Sequence, residues 1–279
     1  MKKIIPFILV SLIAMLVWLP LWMLLSGSFM PLDEIKSAFG PVLVGSKGMA
    51  SWPLIPQYPT LRPYIELLLD SPEFFAMFWN SVKLVVPILV GQVCFGMPAA
   101  WGFARYKFPF KKTLFTLYIA LMLMPFQVTM VPNYLVLDKL QLLDTRAAII
   151  WPMIFSTFPV FIMYRFFKSI PEAMIEAIRI DGAGHWKTFW YIGLPLGAPG
   201  IVSAMVLGFL EYWNMIEQPL TFIQNKSLWP LSLYLPKITI DQLGVSIVAS
   251  VVMLIPALLV FLWGQNDLEA GIRVAGLKE

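Results

Sequence analysis

The sequence predicts an all-α, polytopic membrane protein with six transmembrane helices. Of its 279 residues, 59% are hydrophobic and only 13% are charged, whereas a soluble domain carries about 25% charged residues. The hydrophobic residues also form six runs of roughly 20 residues, the length that crosses the hydrocarbon layer of a bilayer. The predicted spans are residues 4–25, 80–103, 113–137, 147–164, 194–214 and 244–263. Because little sequence remains outside these spans, we expect a single membrane domain over residues 1–279.

The first span follows the basic start Met1-Lys2-Lys3, which is also the pattern of a secretory signal peptide. A signal peptide has a hydrophobic stretch of roughly 7 to 15 residues that ends at a small-residue cleavage site. The run over residues 4–25 is longer, and no clear cleavage site ends it. We therefore expect a helix that is retained and contacts membrane lipid.

Basic residues are divided unequally between the two sides that six alternating spans create. The side of the chain termini carries twelve of them, namely Lys2, Lys3, Arg105, Lys107, Lys111, Lys112, Arg165, Lys168, Arg179, Lys187, Arg273 and Lys278. The opposite side carries seven, namely Lys36, Lys47, Arg62, Lys139, Arg146, Lys226 and Lys237. Because cytoplasmic loops carry the excess of Lys and Arg, both termini are expected to be cytoplasmic. The scattered positions form no basic stripe, which argues against nucleic-acid binding.

Two further features concern the outer loop and the apolar spans. Residues 31–76 form the longest segment on the outer side, and we expect them to cover the outer mouth without assigning their secondary structure. Several prolines fall inside or at the ends of spans, where each removes a backbone donor and tends to kink its helix. These are Pro87, Pro98, Pro125, Pro132, Pro152, Pro159 and Pro256. With one cysteine and one histidine, the chain forms neither a disulfide nor a Cys/His metal site by itself.

Residues 169–195, between spans four and five, form the most informative loop of the sequence, and we call them the coupling segment. Ser169-Ile170-Pro171-Glu172 has the spacing of a capping box, in which the serine and glutamate side chains satisfy the first backbone donors of a helix. The helix is expected to end at Gly182 and Gly184, because glycine adopts the backbone conformations that terminate helices. A second short helix then leads to Leu194-Pro195. The pattern predicts a helix-turn-helix on the cytoplasmic face.

The coupling segment resembles a loop shared by the membrane subunits of binding-protein-dependent ABC importers. That loop reads Glu-Ala-Ala, three residues, Gly, nine residues, Ile-x-Leu-Pro. This chain has Glu176-Ala177-Ile178, then Gly182, then nine residues and Ile192-Gly193-Leu194-Pro195, so that only Ile178 departs from the pattern. Other segments are similar to the carbohydrate branch of the family, the maltose-type permeases. They are Phe166–Pro171, Asp181-Gly182-Ala183, Trp213-Asn214, Asn80-Ser81 and Leu142–Thr145.

The resemblance implies a permease subunit of an ATP-driven importer that moves a sugar or related polyhydroxylated solute across a bacterial or archaeal cell membrane. Its implied partners are a second, distinct permease subunit, two ATPase subunits and an extracytoplasmic solute-binding protein. ATP and Mg²⁺ are expected on the ATPase, in agreement with the absence of a G-x-x-x-x-G-K-[ST] phosphate loop from this sequence. The chain itself is expected to bind no cofactor and to catalyse no reaction.

The resemblance assigns a set of coupling residues, and the polarity of the spans suggests a second set. The coupling helix would insert into a groove of the ATPase, with Glu176 as the charged contact and Gly182 as the tight turn. The coupling set is Glu176, Ala177, Asp181, Gly182, Ala183, Ile192, Leu194 and Pro195. Polar residues in or at the ends of spans are candidates for the solute path, because such groups usually face the bundle interior or a wet cavity. They are Glu211, Asn214, Gln127, Gln92, Asn80 and Lys83.

Alternatives stay open at this point. Glu211 and Asn214 are three residues apart and share a helix face that suits a hydroxylated solute, but Glu211 would equally suit an ion pair with Lys83. A secondary transporter or channel is the alternative function; it would be expected to show buried charged relays or two similar halves with broken helices, and neither stands out. A membrane-embedded enzyme is disfavoured because no paired acids or nucleophile-base pair is apparent.

Overall fold

The computed structural model describes residues 4–43, 49–51, 53–234 and 240–276, which form helices and connecting loops without any strand. Five basic residues of the orientation argument, Lys2, Lys3, Lys47, Lys237 and Lys278, lie outside these described residues. The α-helices are α1 (Ile4–Gly27), α2 (Leu32–Leu43), α3 (Arg62–Leu69), α4 (Pro72–Gly91), α5 (Met97–Arg105), α6 (Lys111–Met122), α7 (Phe126–Lys139), α8 (Ala147–Ile154), α9 (Thr157–Ser169), α10 (Glu172–Ile180), α11 (His185–Thr188), α12 (Leu194–Trp213), α13 (Glu217–Phe222) and α14 (Leu243–Gly276).

Helices long and apolar enough to cross a membrane account for most of the described chain. Five continuous segments qualify, namely Pro6–Gly27, Pro72–Arg105, Ala147–Ser169, His185–Trp213 and Leu243–Ala270. The pair α6 and α7 qualifies as a sixth when the two helices are counted together. The predicted all-α, polytopic fold is therefore confirmed, and the count of six spans depends on that pair.

The span predicted over residues 113–137, with a kink expected at Pro125, is divided into two separate helices. α6 ends at Met122, α7 begins at Phe126, and the two axes differ by 102°. Pro125 precedes the first residue of α7 in an extended conformation, with φ −67° and ψ 150°. A proline disfavours helical backbone for the residue before it and donates no hydrogen bond, so Pro125 separates the two helices instead of merely kinking one.

Two other spans contain short π-helical turns: Gln92–Gly96 lies within span two, and Phe189–Gly193 lies immediately before the predicted start of span five. Each turn comes two residues before a proline, Pro98 or Pro195. The proline ring clashes with the carbonyl four residues earlier, and in both cases that carbonyl lies within the wider π turn. The second turn joins α11 to α12, so span five begins at His185 and not at residue 194.

Contacts divide the chain into two compact units, Met1–Ala76 with Tyr234–Pro256, and Met77–Leu233 with Ala257–Glu279. In the first unit, α1 exposes large apolar side chains such as Phe7 (73%) and Met15 (76%). The outer loop, which the sequence left unassigned, contains α2 and α3. There Lys36 forms a 2.8 Å salt bridge with Asp241. The expectation of one membrane domain over residues 1–279 stays a prediction.

In the second unit, aromatic residues pack where α5, α9 and α12 meet. The Trp101 ring lies 5.3 Å from the Phe167 ring and 5.5 Å from the Phe189 ring, measured between centroids. Glycines allow this close approach: a Cβ at Gly193 would lie 2.8 Å from Cζ3 of Trp101, and one at Gly200 would lie 2.5 Å from Cγ of Phe166. This buried cluster supports the coupling segment that follows α9.

Candidate functional site

The coupling helix α10 begins at Glu172, as the sequence predicts, but the expected capping box is wrong. Ser169 is still the last residue of α9, and its hydroxyl donates to the carbonyl of Phe166 at 2.8 Å. Pro171 occupies the N-cap position with no side-chain cap. Since the serine bonds within its own helix, it does not reach the first amides of α10.

The side chain of Arg105, and not a capping box, holds the start of α10 in place. Its Nη1 donates to Oε2 of Glu172 at 2.9 Å, and its Nη2 donates to the carbonyls of Phe167 and Ile170 at 2.6 and 2.5 Å. These carbonyls belong to the end of α9 and the link to α10, where helix geometry leaves acceptors unpaired. In the sequence, Arg105 stands out only as one of the positive charges that predict the orientation of the chain. Its position at the end of a span was the one feature of the sequence that could have indicated this structural role.

The end of α10 is closed by a Schellman motif. The amide of Gly182 donates to the carbonyl of Arg179 at 3.0 Å, and the amide of Ala183 donates to the carbonyl of Ile178 at 3.1 Å. Gly182 has a φ of +80°, which a glycine adopts without steric cost. The helix stop that was predicted at this glycine is therefore present, with a positive φ that a side chain would strain.

The two faces of α10 differ sharply in exposure. Ile175 is 1% exposed and packs into the Trp101 cluster. The opposite side presents Glu176, Ala177 and Asp181 to the surface, together with Ile180, which is 85% exposed. A buried anchor with an exposed face of mixed apolar and acidic character is suited to docking on another protein.

The second half of the coupling segment is continuous with span five. Ile192 and Leu194 are partly buried against the Trp101 cluster, Pro195 is exposed and Ala183 is half-buried. Trp186 is 72% exposed and lies outside that cluster's buried set. The predicted coupling residues thus divide into members that anchor the segment and members that form its surface.

The structure does not bring the six predicted path residues into one site. Gln92 is 3% exposed, and its Nε2 donates both to the carbonyl of Met153 and to the hydroxyl of Tyr212, each at 2.7 Å. A buried amide whose two donors are already engaged stabilises helix packing. In this structure Gln92 links three helices, and its place in the solute path stays a prediction.

Asn80 is also buried and hydrogen-bonded, and its place in the solute path likewise stays a prediction. It is 4% exposed, its Nδ2 donates to the carbonyls of Ser227 and Trp229 at 2.7 and 3.1 Å, and its Oδ1 accepts from Arg146 at 2.9 Å. Its two N–H donors fasten the loop after α13 to α4, and its oxygen holds Arg146, which precedes α8. Sequence reasoning missed this role because the partners are about 147 residues away along the chain.

The other four path candidates are exposed. Gln127 donates to Oε1 of Glu217 at 2.6 Å, and Asn214 donates to the carbonyl of Leu210 at 2.9 Å. The alternative ion pair between Glu211 and Lys83 is not formed in the described part of the chain. Glu211 thus keeps a free carboxyl on the surface of a membrane-spanning helix.

Comparison with known proteins gives consistent matches. The family described as binding-protein-dependent transport system inner membrane component matches residues 92–274. A probable ABC transporter permease protein of Pyrococcus horikoshii is 32% identical over 91% of this chain and 91% of its own length. The arabinooligosaccharides transport system permease protein of Halalkalibacterium halodurans is 27% identical over 95% and 93% of the two chains. The crystal structure of a bacterial ABC transporter involved in the import of the acidic polysaccharide alginate shares the fold, with a TM-score of 0.77, 19% identity and 95% coverage of each chain.

Proposed function

This chain belongs to the family of binding-protein-dependent transport system inner membrane components, and from that premise we propose that it couples ATP hydrolysis elsewhere to solute import. It is a multi-pass membrane permease subunit. Its solute is a sugar or a related polyhydroxylated compound, a choice supported by the relative named for arabinooligosaccharides. A solute-binding protein delivers the solute, as the family's dependence on such proteins requires.

The observation that carries this function is the construction of the coupling segment. α10 is held at its start by Arg105, at its middle by buried Ile175 and at its end by the turn at Gly182. A short helix fixed at three points transmits a displacement to the bundle, whereas a mobile loop would absorb it. We propose that Glu176 and the exposed apolar residues of this segment contact a separate ATPase, which binds ATP and Mg²⁺.

The remaining assembly follows from the same proposal. Two ATPase subunits and a second, distinct permease subunit complete the importer, and both termini of this chain face the cytoplasm. Glu211 favours a path between the two permease subunits, because an ionisable group on a membrane-spanning helix needs a wet cavity or a partner, and here its carboxyl is exposed.

A pair of glycine substitutions tests the coupling role. Gly182 and Gly184 both have open space around them, but Gly182 has φ +80° and Gly184 has φ −73° and ψ 174°. Gly182→Asp introduces a charge and about 1 kcal/mol of backbone strain into the turn, whereas extended backbone at residue 184 accepts any side chain. We expect Gly182→Asp to reach the membrane normally but to hydrolyse ATP without solute uptake. Gly184→Asp should retain uptake, and normal uptake by Gly182→Asp would contradict the proposal.

The path assignment is tested separately by Glu211→Ala in the assembled importer. We expect slower uptake with unchanged membrane content, since the variant removes a hydrogen-bond acceptor from the path. Asp138→Ala is the matched control, because Asp138 is also an exposed acid but lies outside the predicted path. Equal uptake by the two variants and the unmodified importer would remove Glu211 from the path.

A further inference from the structure

A cavity of about 260 Å³ opens between α6 and α9, beside the start of the coupling segment. Its wall is aromatic: the Phe115 ring lies 4.1 Å from the Tyr164 ring and 6.4 Å from the Phe161 ring, centroid to centroid. Its rim is basic, with Arg165 and Lys168 among the lining residues. We call this the α6–α9 cavity. Apart from Ser169, its lining residues lie outside the coupling segment, and none of them belongs to the predicted solute path.

The two cations of the α6–α9 cavity have no anionic partner in the structure as described. No acidic residue lines the cavity, and neither Arg165 nor Lys168 forms a salt bridge with any described residue. Lys168 instead places its Nζ 3.0 Å from the hydroxyl oxygen of Tyr164. Because that oxygen accepts from the lysine, the tyrosine proton is free to donate to a further oxygen.

The chemistry of the cavity therefore has two parts. Two basic side chains and one hydroxyl donor lie at the rim, which is the combination that recognises phosphate oxygens. The wall beneath them is largely apolar and is formed by α6 and α9. Lys112 precedes Phe115 by three residues and so shares its face of α6, extending the basic rim along that helix.

We propose that the α6–α9 cavity binds the headgroup of an anionic phospholipid of the cytoplasmic leaflet, with Arg165, Lys168 and the Tyr164 hydroxyl holding its phosphate. Basic pockets between transmembrane helices on the cytoplasmic side suit such headgroups. The inference rests on the proposed function, because that function places the end of α9 at the cytoplasmic surface. A free phosphate ion offers the same oxygens, but it leaves the aromatic wall without a partner.

The test measures lipid retention by the complete, purified importer in detergent, without solute or ATP. The delipidated complex is mixed with phosphatidylglycerol, with phosphatidylcholine of the same acyl chains, or with inorganic phosphate, and bound lipid is counted by native mass spectrometry. We expect retention of phosphatidylglycerol over phosphatidylcholine. Arg165→Gln combined with Lys168→Gln should weaken that retention roughly twenty- to thirtyfold, since each basic residue near an anionic surface contributes about fivefold.

Two control variants keep the test decisive. Lys107→Gln combined with Lys139→Gln removes the same charge from residues that do not line the cavity, and it should leave selectivity intact. Arg165→Lys keeps the charge and should retain the lipid even if the double variant folds poorly. Three outcomes would overturn the proposal: equal binding of both lipids, equal loss in the control pair, or displacement of phosphatidylglycerol by inorganic phosphate. Lipid selectivity with no solute uptake would instead count against the proposed function alone.

Discussion

Arg105 is the residue that ties the membrane bundle to the coupling helix. Its side chain is 8% exposed, whereas that of its partner Glu172 is 60% exposed. The exposed carboxylate contributes little, because ion pairs open to solvent are worth at most about 1 kcal/mol. The two carbonyls of Phe167 and Ile170 depend on the guanidinium more strongly, since each loses a charged hydrogen bond when it is removed.

We therefore predict that Arg105→Met and Glu172→Gln have very different effects. Arg105→Met leaves two carbonyls without their donor and should cost about 3 kcal/mol of unfolding free energy, at roughly 1.5 kcal/mol for each charged hydrogen bond. It should also reduce uptake per ATP hydrolysed. Glu172→Gln should change the unfolding free energy and the uptake per ATP hydrolysed only slightly. Thermal unfolding and coupled uptake of the two variants measure this, and equal effects would show that the salt bridge, not the carbonyl contacts, holds α10.

Residue-level roles were the least predictable from sequence. The position of α10 was predicted correctly, because Pro171 and Gly182 act through local backbone preferences. The roles of Ser169, Gln92 and Asn80 were not, because each depends on which acceptor lies nearby in three dimensions. For Gln92 and Asn80 these acceptors are 61 to 149 residues away along the chain.

At the scale of helices, α12 approaches α9 closely because residue 200 is a glycine and carries no side chain. A Cβ at Gly200 would lie 2.5 Å from Cγ and 2.6 Å from Cβ of Phe166. Cβ of Phe166 is fixed to its backbone, so rotation of the side chain cannot move it away. Adding a methyl group here therefore requires the two helices to separate.

We predict that Gly200→Ala destabilises the protein by about 1–3 kcal/mol, the usual cost of overpacking a core. Gly102→Ala is the matched control, since its Cβ would meet only Cδ2 of Tyr106, at 4.0 Å. In a helix that change should be neutral or stabilising by up to about 1 kcal/mol. Thermal unfolding in detergent compares the two. A Gly200→Ala variant as stable as Gly102→Ala would mean that α9 and α12 are not closely packed in the membrane.

The sequence predicted helices well where the length of a hydrophobic run is enough to identify a membrane span. The pair α6 and α7 was predicted as one span kinked at Pro125, because hydropathy averages over a single proline. The early start of span five was missed because α11 contains the polar residues His185 and Lys187. α2 and α3 were missed for a different reason. Both are short helices whose stability comes from tertiary packing, and packing is not visible in a single sequence.

At the scale of the whole molecule, the orientation of the chain is the property that the proposed function needs most. More basic residues lie on the side of the membrane that carries the chain termini than on the opposite side, which predicts that the coupling segment is cytoplasmic. Ile180 in that segment is 85% exposed, and Gln224 in the loop after α13 is also exposed. The helix His185–Trp213 of 29 residues separates them, which at 1.5 Å per residue is about 43 Å and enough to cross a bilayer.

We predict that cysteines at these two positions react from opposite sides of the membrane. Cys94 is the only native cysteine, so Cys94→Ala gives a thiol-free background for Ile180→Cys and for Gln224→Cys. A membrane-impermeant maleimide should label Gln224→Cys in cells whose cell membrane is intact and accessible to the reagent. The same reagent should label Ile180→Cys only in inside-out vesicles. Protection of Ile180→Cys by the ATPase subunits would place the coupling surface at their interface. Labelling of Ile180→Cys from outside would reverse the orientation, and no cytoplasmic ATPase could then drive this permease through α10.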